Sequence, residues 1–264
     1  MHQILHQIKK SIVFIGNETK YIGTGSLLSV GFPFSPQKTV CFLITARHVV
    51  SEAMNSNQNI WVSFNRKNGT IGKTSIKEIE NQFGVRWLFH ENEEVDIALI
   101  PFPINPETDD VMLISNELFG SFEKLSELYE VFYLSFQPGI SRYGRVEPII
   151  RTGVISFLDN DNKIFYIDGF VFPGNSGGPV FVKPSPIRFD NNDIVIGGND
   201  PLGWKMVGVI NSLIYSSLPV EGNLFYNNTG LSIVRPIDFV NEILSQDSSK
   251  RLLEKIVERE RTKE

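Results

Sequence analysis

Apolar residues in this chain come in short bursts separated by turn residues, and long helical stripes are rare. The first half reads "SIVFIG", "GTGSLLSV", "TVCFLITA", "IWVSFN", "VRWLF" and "DIALIPF". In the fourth of these, Ile60, Val62 and Phe64 alternate with Trp61 and Ser63, the period of a strand. Asn68-Gly69 follows, a pair suited to a type I′ hairpin turn. The second half repeats the texture in "EVFYLSF", "YGRVEPIIRTGVISFL", "IFYIDGF", "GGPVFV", "MVGVINSLI" and "TGLSIV". Many short strands with Gly and Pro between them predict an all-β sandwich or barrel, here as two β units. Few helices are expected. Residues 1–10 place Ile4, Leu5 and Ile8 on one side of a short helix. The stretch 105–124 reads as a linker, and "NELFGSFEKLSELYE" adds a short helix between the units. "KPSPIRFDNNDIVIGGNDPLG" reads as a long exposed loop. Pro236 suits the first position of a helix, with Phe239, Val240 and Ile243 at helical spacing behind it and a charged helical tail to 264.

Composition narrows the function classes. The chain has 264 residues, 41% hydrophobic and 21% charged, enough for one large or two small cores. A net charge of −5 implies no broad basic surface, which argues against nucleic acid as a partner. The single cysteine, Cys41, forms no disulfide within the chain and reads as a core thiol in an apolar run. No segment reads as a signal peptide or membrane span, so a cytoplasmic protein without a membrane partner is expected, and the sequons at Asn17, Asn68 and Asn227 are taken as chance.

Chemistry concentrates in "FVFPGNSGGPVF", residues 170–181. Gly-Asn-Ser-Gly-Gly-Pro packs little and orders at an entropic cost, so the backbone path itself must matter, with the Ser176 hydroxyl at its centre. A serine nucleophile needs a base, and the base an orienting carboxylate. Of the four histidines, His2 and His6 fall in the terminal helix and His90 in the polar run "LFHENEE", read as surface. His48 lies where the strand "LITA" breaks into "RHVV", and Asp96 enters the apolar run "DIALI". The motif also fits the G-x-S-x-G elbow of α/β-hydrolases. That fold places the histidine after the serine, and no histidine follows Ser176.

In the order His48, Asp96, Ser176, the segments "TARHVV", "DIALI" and "PGNSGGPVF" resemble trypsin-like, chymotrypsin-fold serine peptidases, and most of all the bacterial HtrA/Deg branch, in which Asn precedes the serine. "GTGSLL", "VGVINSLI" and "TGLSIVRPIDFVNEIL" resemble that branch's early strand, substrate-pairing strand and closing segment. The resemblance implies two antiparallel Greek-key β-barrels, at 11–104 and 125–235, joined by the 105–124 linker and flanked by an N-terminal helix (1–10) and a C-terminal helix and tail (236–264). It also implies a serine endopeptidase in which Ser176 attacks, His48 carries the proton and Asp96 orients it. The Gly174 and Ser176 N–H groups would form the oxyanion hole. By the same alignment Phe170, Val171, Phe172 and Pro173 line one wall of the pocket for the residue before the cut, and Ile210, Asn211, Ser212 and Leu213 another. Neither wall carries an acid for Lys or Arg, so small or aliphatic residues are expected there. The partner is a polypeptide substrate, pairing along Ile210–Leu213 as an added strand.

The chain departs from secreted relatives at Asn175, which bears no charge to hold a newly cut N-terminal amine, so activation by zymogen cleavage is not expected despite "SIVFIG". No PDZ domain, which HtrA proteins usually carry, is expected in the short tail, whose charges offer a surface to a regulatory partner. No metal cluster, phosphate loop or dinucleotide motif implies a cofactor. The competing reading is a catalytically silent or partner-gated binding module on the same fold.

Overall fold

The structure is a computed structural model that describes residues 2–32, 35–55, 58–138, 144–190, 193–197, 200–220 and 223–261. The first half opens with helix α1 (His2–Lys9) and strands β1 (Ile12–Gly16), β2 (Tyr21–Phe32) and β3 (Ser35–Thr45). Helix α2 (Arg47–Asn55), strands β4 (Trp61–Asn65) and β5 (Ile71–Ser75), helix α3 (Ile76–Phe83) and strands β6 (Leu88–Phe89) and β7 (Ala98–Pro101) follow. They form one antiparallel path, β5-β4-β1-β2-β3-β7-β6, to which β8 (Ile114–Ser115) adds parallel to β2. The end strands β5 and β6 are not paired with each other.

The second half closes fully. Strands β9 (Glu130–Ser135), β10 (Ile149–Asp159), β11 (Ile164–Asp168), β12 (Pro179–Val182), β15 (Met206–Val220) and β16 (Asn223–Pro236) make a barrel in the order β10-β11-β16-β15-β12-β9. Between β12 and β15, strands β13 (Ile187–Asp190) and β14 (Asp193–Ile196) form a separate hairpin, where the sequence reads as loop; residues 191–192 and 198–199 lie outside the described residues. Helices α4 (Asp238–Ser245) and α5 (Asp247–Arg261) end the chain. This is the all-β class expected from the strand texture and the chymotrypsin-like fold that the resemblance implies.

Three apolar clusters explain its coherence. One fills the first sheet with Val13, Leu27, Leu43, Val62 and Ile100, and one fills the closed barrel with Tyr133, Ile155, Phe165, Val180 and Ile210. The third joins the halves: Phe14, Phe42 and Leu99 from the first pack with Phe132, Phe136 and Phe181 from the second and with Phe239 and Val240 of α4. Each such buried side chain contributes roughly 1.5–3 kcal/mol. The two halves are thereby fixed against each other at the surface that carries the site.

Several local expectations need correction. The helix expected after residue 115 is two single 3-10 turns, Asn116–Leu118 and Phe122–Lys124. Gly120 between them packs where a Cβ would lie 2.9 Å from Val207, and the Asp238 carboxylate caps the second turn through Ser121 Oγ and the Phe122 N–H. Pro236 does not open a helix: it stays in β16, paired with Gly208, and α4 begins two residues later. The Asn68-Gly69 turn is not type I′, which needs positive φ at both residues; Gly69 alone has it (φ 84°), while the Asn68 carboxamide accepts from Thr70. The Gly69 N–H→Arg66 O bond closes a type I turn followed by a left-handed glycine.

Candidate active site

The α2 helix was not visible as such in the sequence, yet it positions His48. His48 sits in its first turn, and Asp96 lies in the loop just before β7, the strand that pairs with β3 on the way into α2. One carboxylate serves both levels of the histidine. Asp96 Oδ1 accepts the His48 backbone N–H at 2.8 Å, and Oδ2 lies 2.7 Å from Nδ1. A carboxylate only accepts, so the proton is on Nδ1 and the Nε2 lone pair is left outward. The Asp96 side chain keeps 16% of its surface and the His48 ring 48%. Arg235, on β16, stands within electrostatic reach of Asp96 and Glu94; burial lowers its pKa while those carboxylates oppose the shift. Nothing in the sequence marked this arginine.

Ser176 comes from the opposite half, on the tight loop ahead of β12. Gly174 (φ 94°) and Gly177 (φ 87°) take backbone conformations that favour glycine. A Cβ on Gly177 would also lie 2.0 Å from the Thr24 carbonyl oxygen. The loop is fixed from inside by Asn175, which is fully buried: its Oδ1 accepts from the Phe172 N–H at 2.9 Å and its Nδ2 donates to the Phe136 carbonyl. It is fixed from the first half by Thr24, whose hydroxyl donates to the Gly174 carbonyl at 2.7 Å and whose N–H donates to the Ser176 carbonyl at 2.9 Å. The Gly177 and Gly178 N–H groups are used within the fold, on Ile210 O and Asn175 O. The Gly174 and Ser176 N–H groups donate to no acceptor among the described residues. The Ser176 hydroxyl donates to the Asn211 carbonyl at 2.9 Å, and no hydrogen bond joins it to His48 among the described residues.

The expected pocket walls are split. Val171 and Ile210 are buried in the barrel core, at 1% and 0% exposure, while Phe170, Phe172 and Pro173 are exposed and Asn211, Ser212 and Leu213 half-buried. The first wall is held by Tyr133 Oη on the Phe170 carbonyl (2.7 Å), Asn228 Nδ2 on the Val171 carbonyl (2.8 Å) and the Arg151 guanidinium 4.9 Å from the Phe172 ring. Burial pushes the Tyr133 phenol up to about 12, so it stays a donor. The Phe170 ring reaches to within 3.5 Å of where a Cβ on Gly230 would lie. His90 is not the surface residue it resembled: its side chain is 17% exposed, accepts the Asn92 N–H on Nδ1 and faces Glu242 of α4 with Nε2 at 3.2 Å. His6 is exposed and remote in sequence from the cluster.

No group of three or more His, Cys, Asp or Glu side chains suited to a metal occurs among the described residues, and no helix among them is long and apolar enough to cross a membrane. In fold, the chain is similar to Deg5 (TM-score 0.55, 15% identity, 91% of this chain and 90% of that one). It is also similar to the HtrA-type protease AlgW solved with a tripeptide (TM-score 0.53, 12% identity, 91% and 60%) and with a decapeptide (0.51, 11%, 92% and 65%). No curated protein matches the sequence. The model of the trypsin-like peptidase domain matches residues 23–183, more than half of the chain. This span includes the segments of His48, Asp96 and Ser176, and the chain belongs to the trypsin-like peptidase family.

Proposed function

We propose that this trypsin-like peptidase is an active serine endopeptidase whose triad is His48, Asp96 and Ser176, working in a cleft between barrels at 11–104 and 125–235. The observation that carries this is the doubly bonded Asp96–His48 pair, which leaves Nε2 as a base. After a rotation about its Cα–Cβ bond, the Ser176 hydroxyl loses its proton to Nε2 as Oγ attacks the substrate carbonyl. The negative charge that develops on the carbonyl oxygen is taken by the Gly174 and Ser176 N–H groups, which donate to no acceptor among the described residues. The imidazolium, stabilised by Asp96, returns the proton to the leaving amine, and water then releases the acyl group from Ser176 by the same route in reverse.

The exposed faces of Phe170, Phe172, Pro173 and Leu213, with no acid among them, support an apolar pocket for a small or aliphatic residue before the cut. The neutral Asn175, hydrogen-bonded through both Oδ1 and Nδ2, supports activity without a zymogen cut, as does the burial of β1 between β2 and β4, where the "SIVFIG" segment serves as an internal strand. The charged face of α5 is kept as a docking surface for a regulator, since its apolar face, with Leu253 and Ile256, is spent on the body. A partner-gated site is the second reading, favoured by the Ser176 hydroxyl resting on Asn211 O.

Labelling by a fluorophosphonate distinguishes them. Wild type is expected to react at Ser176, and Ser176→Ala and His48→Ala not to. Wild type that stays unlabelled would sink the reading of an active enzyme and favour a gated or silent site.

A further inference from the structure

β15 is fifteen residues long, but β12 pairs with it only between Met206 and Val209. Ile210 exchanges the last backbone bonds on that side, with Gly177 and Gly178. Among the described residues, β15 from Ser212 to Val220 is paired on one side alone, by β16. The unpaired edge therefore begins one residue beyond the Asn211 carbonyl that accepts from Ser176 Oγ. It continues onto a two-stranded ribbon that leaves the barrel, with Tyr215 opposite Asn228 and Ser217 opposite Tyr226. A long unpaired edge invites another strand, and folded proteins usually blunt one. Here Pro219, which has no N–H to offer, blunts only the far end. Tyr215 and Tyr226 lie at 53% and 63% exposure on one face of the ribbon, edge to face with their rings 6.2 Å apart.

We propose that the substrate-pairing edge continues past Leu213 to Ser217, and that it takes an extended, unfolded polypeptide with an aromatic or large aliphatic side chain upstream of the cut, seated on Tyr215 and Tyr226. The proposal rests on the peptidase reading for its direction. A strand laid antiparallel on β15 with its reacting carbonyl at Ser176 runs its upstream residues toward the tyrosines. The other free edge of the ribbon, on β16, has no such continuity with the serine. The paired rings offer apolar area and an edge for a third aromatic group, at little entropic cost because each is already held by its neighbour.

The test uses the full chain carrying Ser176→Ala and fluorescein-labelled peptides read by anisotropy. One peptide stops three residues upstream of the cut, a second adds four residues including Phe and Leu, and a third carries Asp in their place. The long apolar peptide is expected to bind about tenfold tighter than the short one through added main-chain bonds and ring contacts. The acidic one should lose most of that gain. Tyr215→Ala with Tyr226→Ala should bring the long-to-short ratio toward one, while Tyr226→Phe should keep it. Equal affinity for long and short peptides in the Ser176→Ala protein would overturn the proposal, and so would a ratio untouched by the tyrosine changes. A change of molecular mass in place of the ratio would overturn it too, assigning the ribbon to a second copy of the chain. Fluorophosphonate labelling of wild type separates the two readings. A labelled protein with no length dependence sinks this proposal alone. An unlabelled protein with length-dependent binding sinks the peptidase reading and keeps the edge as a polypeptide-binding surface.

Discussion

Thr24 holds the carbonyl of Gly174 from across the two halves of the molecule: its hydroxyl donates to Gly174 O at 2.7 Å and accepts the Phe136 N–H at 2.9 Å. Thr24 is fully buried, and its own carbonyl accepts from Thr45 Oγ1 at 2.8 Å. One side chain in β2 thus fixes the orientation of the Gly174–Asn175 peptide, one residue ahead of Ser176. Thr24→Val keeps the shape and removes the hydroxyl, leaving a buried N–H and a buried C=O unpaired. The expected cost is about 2–4 kcal/mol of stability, read by urea unfolding. Fluorophosphonate labelling should slow about tenfold or more in the protein that remains folded, in keeping with the loss of a well-aimed oxyanion donor. Unfolding and labelling that both match wild type would show that the loop holds itself without the other half.

Asn175→Asp tests why an amide stands before the serine. The Asn175 Nδ2 donates to the Phe136 carbonyl and Oδ1 accepts from the Phe172 N–H. A protonated Asp can imitate both roles, but an ionised one presents a charge to a carbonyl oxygen in a site with no exposure. Burial raises the folded-state pKa above the unfolded carboxyl value. The variant's stability is therefore greatest below the unfolded pKa of about 4 and falls as the pH rises through the folded one. Thermal unfolding at acidic and neutral pH should show the variant losing ground to wild type as pH increases. A variant that gained stability over the same range would mean that a cation reaches the carboxylate.

Asp96→Asn separates orientation from charge at His48. The asparagine Oδ1 can still accept the His48 backbone N–H, but its NH2 must then face Nδ1. The imidazole proton moves to Nε2, where the base is needed. Peptide turnover is expected to fall about 10⁴-fold, with substrate KM little changed because Asp96 touches no substrate. A fall of less than about tenfold would mean that His48 is not the base.

The candidate residues His48, Asp96 and Ser176 could be singled out because serine catalysis needs scarce groups. With four histidines in the chain and none after Ser176, only a few orders were available. The strand pattern and the Gly-rich loop were legible for the same reason: strands alternate, and left-handed backbone favours glycine. What could not be read depends on distant partners. Thr24 sits in "GTGSLL" like any strand threonine, and only the fold brings it to Gly174. The apolar spacing after residue 115 suits a helix, but Gly120 is pressed against Val207 and the Asp238 carboxylate reaches across to cap a shorter turn. Val171 and Ile210 align with pocket walls, yet both side chains are buried in the barrel core, Ile210 from β15 and Val171 from the loop after β11.

Cys41 offers a measurement independent of catalysis. The residue is half-buried in β3 beside a cavity of about 400 Å³, lined by Phe83, Phe102, Leu113 and Ile256 among others. Burial pushes its thiol pKa up to about 12. A folded-state pKa above the unfolded one means that the fold prefers the neutral thiol. That contribution is fully present below the unfolded thiol value of about 8.5 and is lost as the pH climbs from there toward the folded value. The stability difference between wild type and Cys41→Ala should therefore shrink as the pH rises from about 8 to about 10. Maleimide at neutral pH should modify the native protein far more slowly than the urea-unfolded chain, because the thiolate is the reacting form. Equal rates in the two states would show that β3 opens to solvent without global unfolding, and would place the cavity beside α5 among the first parts of the molecule to loosen.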